Sequence, residues 1–332
     1  MTSGLFTMKL FFKILVVLPL VLVLLAFYGR GKIAESHNIE RGEQYQARIH
    51  YLWEDLPELN GRLPLEDKNP IWPFRDLKNP LMDKGPYIVA YPVSTEQPAA
   101  SVLILPGGGY NFRSEKQEGK MIAEWLNTQG INGYVLNYRL DEHPAPLSDA
   151  RLAMSYLRHH AKRFGIDVER IGVMGFSAGG HLAASLSTLY DHQDNEPLPL
   201  PYTLSSRPDF TVLAYPVISL ADEVTHSGSR NELLGDEVDD GLLIKLLSTE
   251  QQVTNNTPPS FIWAAKTDGV VAYENSILYA WALKQAGVIY ELHIFPEGGH
   301  GSALAQHEKQ AKAWPGLMLK WLEEVGMHQP KS

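Results

Sequence analysis

From about Tyr87 onward, apolar residues come in short unbroken blocks set between longer stretches of helical spacing. The blocks are Ile88–Val93, Ser101–Leu105, Gly133–Tyr138, Arg170–Phe176, Phe210–Pro216, Ser260–Ala265 and Tyr290–Phe295. Val102-Leu103-Ile104-Leu105 shows no polar alternation, the pattern of a strand covered on both faces. Between the blocks, the spacing predicts helices over Ser114–Gln129, Ser148–Phe164, Gly180–Tyr190, Glu274–Ala286 and Ala305–Val325. The first opens on a Ser114/Gln117 pair with the spacing of a capping box, and the second sets Leu152, Tyr156 and Leu157 on one face. Strands alternating with helices of this length predict βαβ units and the α/β class: a mainly parallel sheet with helices on both faces.

Three stretches depart from the alternation. Ser219–Thr257 is polar and acidic between two strand blocks, and predicts a small helical lid. Its run Gly235-Asp236-Glu237-Val238-Asp239-Asp240-Gly241 lacks the ligand spacing of a calcium loop and reads as a solvated helix start. Residues 33–85 are irregular, and Asn69–Pro86 predicts an extended loop laid over the domain. At the N-terminus, Lys9 and Lys13 precede the apolar run Ile14–Tyr28, a basic region followed by a signal-type segment. That run is shorter than the roughly 20 residues a spanning helix needs. Ala26-Phe27-Tyr28 offers no clean small-residue cleavage site, so a cleaved signal peptide and a retained signal anchor both stay open. The expected organisation is a leader (1–32), an irregular extension packed on the domain (33–85) and a catalytic domain (86–328) carrying the lid-like 219–257. The leader implies an exported protein, periplasmic or secreted, that meets membrane only through this segment.

Composition narrows the chemistry. The chain of 332 residues has no cysteine, which removes thiol nucleophiles, disulfides and Cys-ligated metal centres. Its net charge is −9, with 38 acidic against 29 basic residues. Four of the bases (Lys9, Lys13, Arg30, Lys32) sit in the leader, which has no acid, so the remainder is more acidic still. Such a surface lacks the cationic groups that displace phosphate counterions, and nucleic acid is not an expected partner.

Gly175-Phe176-Ser177-Ala178-Gly179 follows the strand block Arg170–Phe176 and opens a helix, the setting of a nucleophile elbow. The sharp turn crowds its neighbours, so glycines two residues either side of the serine let the chain pass. Ser177 is the expected nucleophile. Pro106-Gly107-Gly108-Gly109-Tyr110 follows an earlier strand, where this architecture supplies an oxyanion donor. Gly108 and Gly109, with the N–H of Ala178, are the expected oxyanion hole, and Tyr110 an expected wall of the substrate pocket. The base should follow the last strand. His300, in Glu297-Gly298-Gly299-His300-Gly301, has that place, whereas His159 and His160 read as surface, His181 as packed inside its helix and His293 as part of a strand. The acid should end the preceding strand, at Asp268. Asp149 precedes the serine and reads more simply as a helix cap. No histidine–carboxylate spacing typical of a metal site occurs in the sequence, and neither metal nor organic cofactor is implied.

Several stretches together resemble α/β-hydrolase esterases of the carbohydrate-esterase type, the acetylxylan-esterase and feruloyl-esterase-like proteins. They are PGGGY at Pro106–Tyr110, LNYRL at Leu136–Leu140, HPAPLSDARLA at His143–Ala153, IGVMGFSAGGHLAASL at Ile171–Leu186, YPVISL at Tyr215–Leu220, VTNNTPPSF at Val253–Phe261, ENS at Glu274–Ser276 and GGHG at Gly298–Gly301. The resemblance implies an α/β-hydrolase fold, with the family's nucleophile, acid and base at Ser177, Asp268 and His300. It also implies a small ester or acylated saccharide as substrate. The chain departs from such proteins at Thr267-Asp268, where they usually have two acids, at Val271-Ala272, where a V-P is usual, and at Ser302, where an aromatic is common. Two other readings stay open: a serine peptidase of the prolyl-oligopeptidase kind, and a non-catalytic envelope protein on the same fold.

Overall fold

The computed structural model describes residues 49–53, 85–95, 97–192, 204–221 and 223–329. The expected leader (1–32), most of 33–85 and the expected loop Asn69–Pro86, save its last two residues, lie outside them. The described residues form one sheet of eight strands: β1 (Ile49–Tyr51), β2 (Tyr87–Tyr91), β3 (Ala99–Leu105), β4 (Asn132–Asn137), β5 (Ile166–Phe176), β6 (Thr211–Ala214), β7 (Ser260–Ala265) and β8 (Tyr290–Phe295). Their spatial order is β1-β2-β4-β3-β5-β6-β7-β8. β2 is antiparallel to both β1 and β4, and every pairing from β4 through β8 is parallel.

Helices make the crossovers. α1 (Met121–Thr128) joins β3 to β4, and α2 (Ala145–His159) with the single turn α3 (Ala161–Phe164) joins β4 to β5. α4 (Ala178–Thr188) leads from β5 toward β6, α7 (Glu274–Gln285) joins β7 to β8, and α8 (Trp314–Glu324) follows β8. The segment between β6 and β7 holds α5 (Ser227–Leu234) and α6 (Gly241–Leu247). Every residue of β3, β4, β6 and β7 is buried, because crossover helices cover both faces of these inner strands. β8, at the edge, is half-buried throughout. Among the described residues no helix is long and apolar enough to cross a membrane.

Along these elements the structure departs from the sequence expectations at four places. The supposedly irregular 33–85 contains β1, whose three residues are too few to show a period but pair with β2. Ser114 makes no cap hydrogen bond; Glu115–Lys120 winds as a π-turn before α1 begins. Asp149 lies one turn inside α2, not at its cap. Its fully buried carboxylate takes Nη2 and Nε of Arg139 at 2.7 and 3.0 Å and the Arg139 backbone N–H at 2.8 Å. The last helix starts at Trp314 rather than Ala305, since Ala303 and Ala305 adopt positive φ and Pro315 suits a first helical turn. Within 219–257, Asp240 caps α6 by accepting from the N–H groups of Leu242 and Leu243, so the acidic run is a helix start.

Candidate active site

The sheet's carboxyl edge gathers the predicted residues. β5 ends at Phe176 and α4 begins at Ala178, leaving Ser177 alone on the turn with φ 54° and ψ −121°. A side chain at Gly175 would meet the Gly179 carbonyl at 2.0 Å, and one at Gly179 would meet the Leu105 carbonyl at 2.1 Å. Only glycine permits strand, turn and helix to close so tightly, and the strained serine is held by the packing around it.

His300 reaches Ser177 from the loop after β8. Its Nε2 lies 2.7 Å from Ser177 Oγ, and its Nδ1 lies 2.7 Å from Asp268 Oδ2. A carboxylate can only accept, so Nδ1 carries the ring proton and Nε2 accepts from the serine hydroxyl. Asp268 Oδ1 accepts from the N–H groups of Val270 and Val271 at 2.9 and 3.0 Å. Burial pushes the Asp268 pKa up, but the hydrogen bonds from His300, Val270 and Val271 outweigh it and leave the carboxyl below its ordinary range. The acid is thus held ionised and aimed at the imidazole.

The loop holding His300 is tied at both ends. Thr267 Oγ1 donates to the Gly298 carbonyl at 3.1 Å and accepts from its N–H at 3.0 Å. Beyond the histidine, the Ala303 N–H donates to Tyr215 Oη and the Ala303 carbonyl accepts from Trp314 Nε1, each at 3.0 Å. The Tyr215 ring stands edge-on to the imidazole, centroids 5.0 Å apart.

The glycine loop after β3 lies against the serine: a side chain at Gly107 would come within 2.9 Å of Ser177 Cβ. The Gly107 N–H is already taken, donating to Glu118 Oε2 at 2.9 Å. The N–H groups of Gly108, Gly109 and Ala178 have no acceptor among the described residues. Gly108 has φ 134° and Gly109 φ 66°, a path that residues with side chains rarely follow. Tyr110, expected on the pocket wall, instead points into the core. It is buried, and its hydroxyl donates to His181 Nδ1 at 2.7 Å, while His181 Nε2 donates to the Leu247 carbonyl at 2.7 Å. Burial holds the His181 pKa at about 4, so this histidine is a neutral structural bridge. His159 is exposed, whereas His160 is half-buried on the Tyr156 ring.

The lid-like segment also reaches the site. His226 caps α5, accepting from the Ser229 N–H, and lies within electrostatic range of His300 and Asp268. Burial, then the His300 charge, lowers its pKa. Glu118, Tyr215 and His226 do not stand out in the sequence as site residues, and Thr267 does so only as a departure from the usual pair of acids. Glu118 reads there as one more polar helix position, and Tyr215 as the apolar end of a strand. Among the described residues no three His, Asp or Glu side chains are grouped to hold a metal ion. What the arrangement can do is clear from its parts. A serine proton faces an imidazole fixed by an ionised acid, with free N–H groups at hand for an oxyanion.

Comparison with known proteins places this geometry in a lineage. The BD-FAE family model matches residues 89–283. The chain is 38% identical over 236 residues to an acetylxylan esterase of Xylanibacter ruminicola, covering 69% of this chain and 47% of that protein. It is 37% identical over 231 residues to an endo-1,4-beta-xylanase B of Butyrivibrio fibrisolvens, covering 67% and 35%. The chain therefore spans half or less of these curated relatives. Among solved structures, an acetyl ester-xyloside bifunctional hydrolase from Caldicellulosiruptor lactoaceticus superimposes with a TM-score of 0.73 at 41% identity, covering 85% of this chain and 97% of that one. A carboxylesterase from Lactobacillus plantarum superimposes with 0.65 at 30% identity, covering 74% and 94%. With the sheet order, the elbow and these matches in agreement, the chain belongs to the BD-FAE family of α/β-hydrolases.

Proposed function

We propose that this protein is a serine esterase that hydrolyses carboxylic esters, foremost acetyl or other short acyl esters on carbohydrate, through an acyl-enzyme on Ser177. The observation that carries the reading is the unbroken line from Ser177 Oγ through His300 to Asp268, both contacts 2.7 Å. As the serine oxygen attacks the ester carbonyl, its proton passes to His300 Nε2, and Asp268 stabilises the resulting imidazolium. The N–H groups of Gly108, Gly109 and Ala178 receive the oxyanion. Collapse of the tetrahedral adduct breaks the carbon–oxygen bond to the alcohol, which takes the His300 proton. Water, deprotonated by His300, then frees the acid and restores Ser177. No step calls for a metal or cofactor.

The relatives' names, acetylxylan esterase and acetyl ester-xyloside hydrolase, support the short acyl group and the carbohydrate alcohol. The basic and apolar leader supports export, where an acylated polysaccharide would be met. The test is a side-by-side panel of p-nitrophenyl acetate, butyrate and octanoate, acetylated xylan and a peptide amide. The acetyl substrates should turn over fastest and the amide not measurably. Preference for the octanoate or the amide would overturn the substrate assignment.

A further inference from the structure

We propose that Glu118 is a positioning residue of this site, joining the oxyanion loop to the base through Tyr215. The inference rests on the esterase reading above.

Glu118 is almost fully buried, and nothing in the serine mechanism uses it directly. A buried carboxylate is costly unless its oxygens are satisfied. Here Oε2 accepts the Gly107 N–H at 2.9 Å and Oε1 accepts the Tyr215 hydroxyl at 2.7 Å. That hydroxyl in turn accepts the Ala303 N–H, three residues past His300. One side chain therefore reaches both halves of the catalytic machinery. On one side it fixes the glycine loop by its first N–H, which leaves the next two N–H groups free to face the oxyanion. On the other it fixes the ring that stands against His300.

The backbone is distorted at the places this network joins. Glu118 sits on the π-turn Glu115–Lys120, and Tyr215 and Ala303 both hold positive φ without being glycine. Such conformations are strained and persist where the surroundings enforce them. Turns of the π type recur at functional sites.

The titratable groups facing Glu118 are Tyr215, Tyr138 and His300. Burial pushes the Glu118 pKa up, against which the Tyr215 hydroxyl, the Gly107 N–H, the His300 charge and the Ser114 hydroxyl all favour the carboxylate, and both oxygens are placed to accept. Ionised, Glu118 is a second negative charge near His300, with Asp268, and favours the imidazolium of the transition state.

Glu118→Gln keeps the shape and removes the charge. Wild type, Glu118→Gln and Tyr215→Phe should be compared on p-nitrophenyl acetate across pH, alongside their thermal unfolding. Folded Glu118→Gln should lose roughly 10- to 100-fold in kcat with KM within about threefold, less than direct removal of an oxyanion donor. The acidic limb of its kcat/KM profile should move to lower pH, because an imidazolium with one fewer negative neighbour is less favoured. Tyr215→Phe keeps the ring against His300 and should lose roughly 5- to 30-fold in kcat at similar KM, on the same reasoning; it carries the test alone if Glu118→Gln does not fold. A folded Glu118→Gln with wild-type kcat, or with lowered kcat and an unmoved acidic limb, would overturn the proposal. So would a folded Tyr215→Phe with wild-type kcat. Failure of the wild type to hydrolyse any ester would instead overturn the esterase reading.

Discussion

At the scale of single residues, the site depends on a few side chains whose partners leave them one orientation. Asp268 uses Oδ1 for its own turn and Oδ2 for His300, so a change in its acceptor character reaches the imidazole at once. Asp268→Asn should lower kcat by about 10³–10⁴ with little change in KM, since an amide selects the wrong ring tautomer. Steady-state kinetics on p-nitrophenyl acetate checks this. Gly108→Ala should also lose most activity. Its new methyl group would meet the Phe112 carbonyl at 2.1 Å on a backbone with φ 134°, and the loop must move away from Ser177. Far-ultraviolet circular dichroism should show the fold retained. The triad positions were legible in the sequence because each needs a residue type in a fixed place: serine between glycines on a strand–helix turn, histidine on a glycine loop after the last strand. Glu118 and Tyr215 were not, because a buried carboxylate satisfied by contacts distant in sequence looks locally like any polar helix residue. Tyr110 departs from its expected place for the converse reason. Adjacency to the glycine loop does not fix the direction of a side chain, and the strained backbone at φ 61° turns it inward.

At the scale of elements, two buried polar links fasten the crossover helices to their neighbours. Arg139 and Asp149 join the end of β4 to α2, with the guanidinium 5.1 Å from the Trp53 ring centroid. Asp149→Asn removes the charge on the buried side of this pair and should cost about 3–5 kcal/mol, read by urea unfolding at neutral pH. The second link, Tyr110–His181–Leu247, ties the glycine loop and α4 to the end of α6. His181 has a folded pKa of about 4 against 6.5 for a free histidine, so between those values the unfolded chain binds the extra proton. Its contribution to stability is present above pH 6.5 and is lost as pH falls toward 4, on the order of 3 kcal/mol in all. His181→Gln should be less stable at neutral pH yet show a flatter decline over that window. Strand blocks were legible because double-sided burial leaves continuous apolar runs. The start of α8 was not, because the residues from Ala305 have helical composition while the anchored Ala303 and the positive φ at Ala305 hold them in a loop.

At the scale of the whole molecule, the charge divides the chain into a basic, apolar first 32 residues and an acidic remainder. If residues 1–32 direct export, their fusion to a reporter should carry it out of the cytoplasm of a bacterial host, and Lys9→Glu with Lys13→Glu should weaken this, as fractionation would show. The proposed chemistry needs no metal, so prolonged treatment with a chelator should leave ester hydrolysis unchanged. The sheet brings together Ser177 from the end of β5, Asp268 after β7 and His300 after β8, three parts of the chain that meet only once the strands lie side by side. Whether that meeting performs acyl transfer is decided by reacting the protein with a fluorophosphonate and locating the adduct by peptide mass spectrometry while following p-nitrophenyl acetate hydrolysis. The adduct should fall on Ser177 and activity should vanish in step with it, while Ser177→Ala takes no label and hydrolyses the ester no faster than buffer. An adduct on another residue, or wild-type hydrolysis by Ser177→Ala, would contradict the serine mechanism outright.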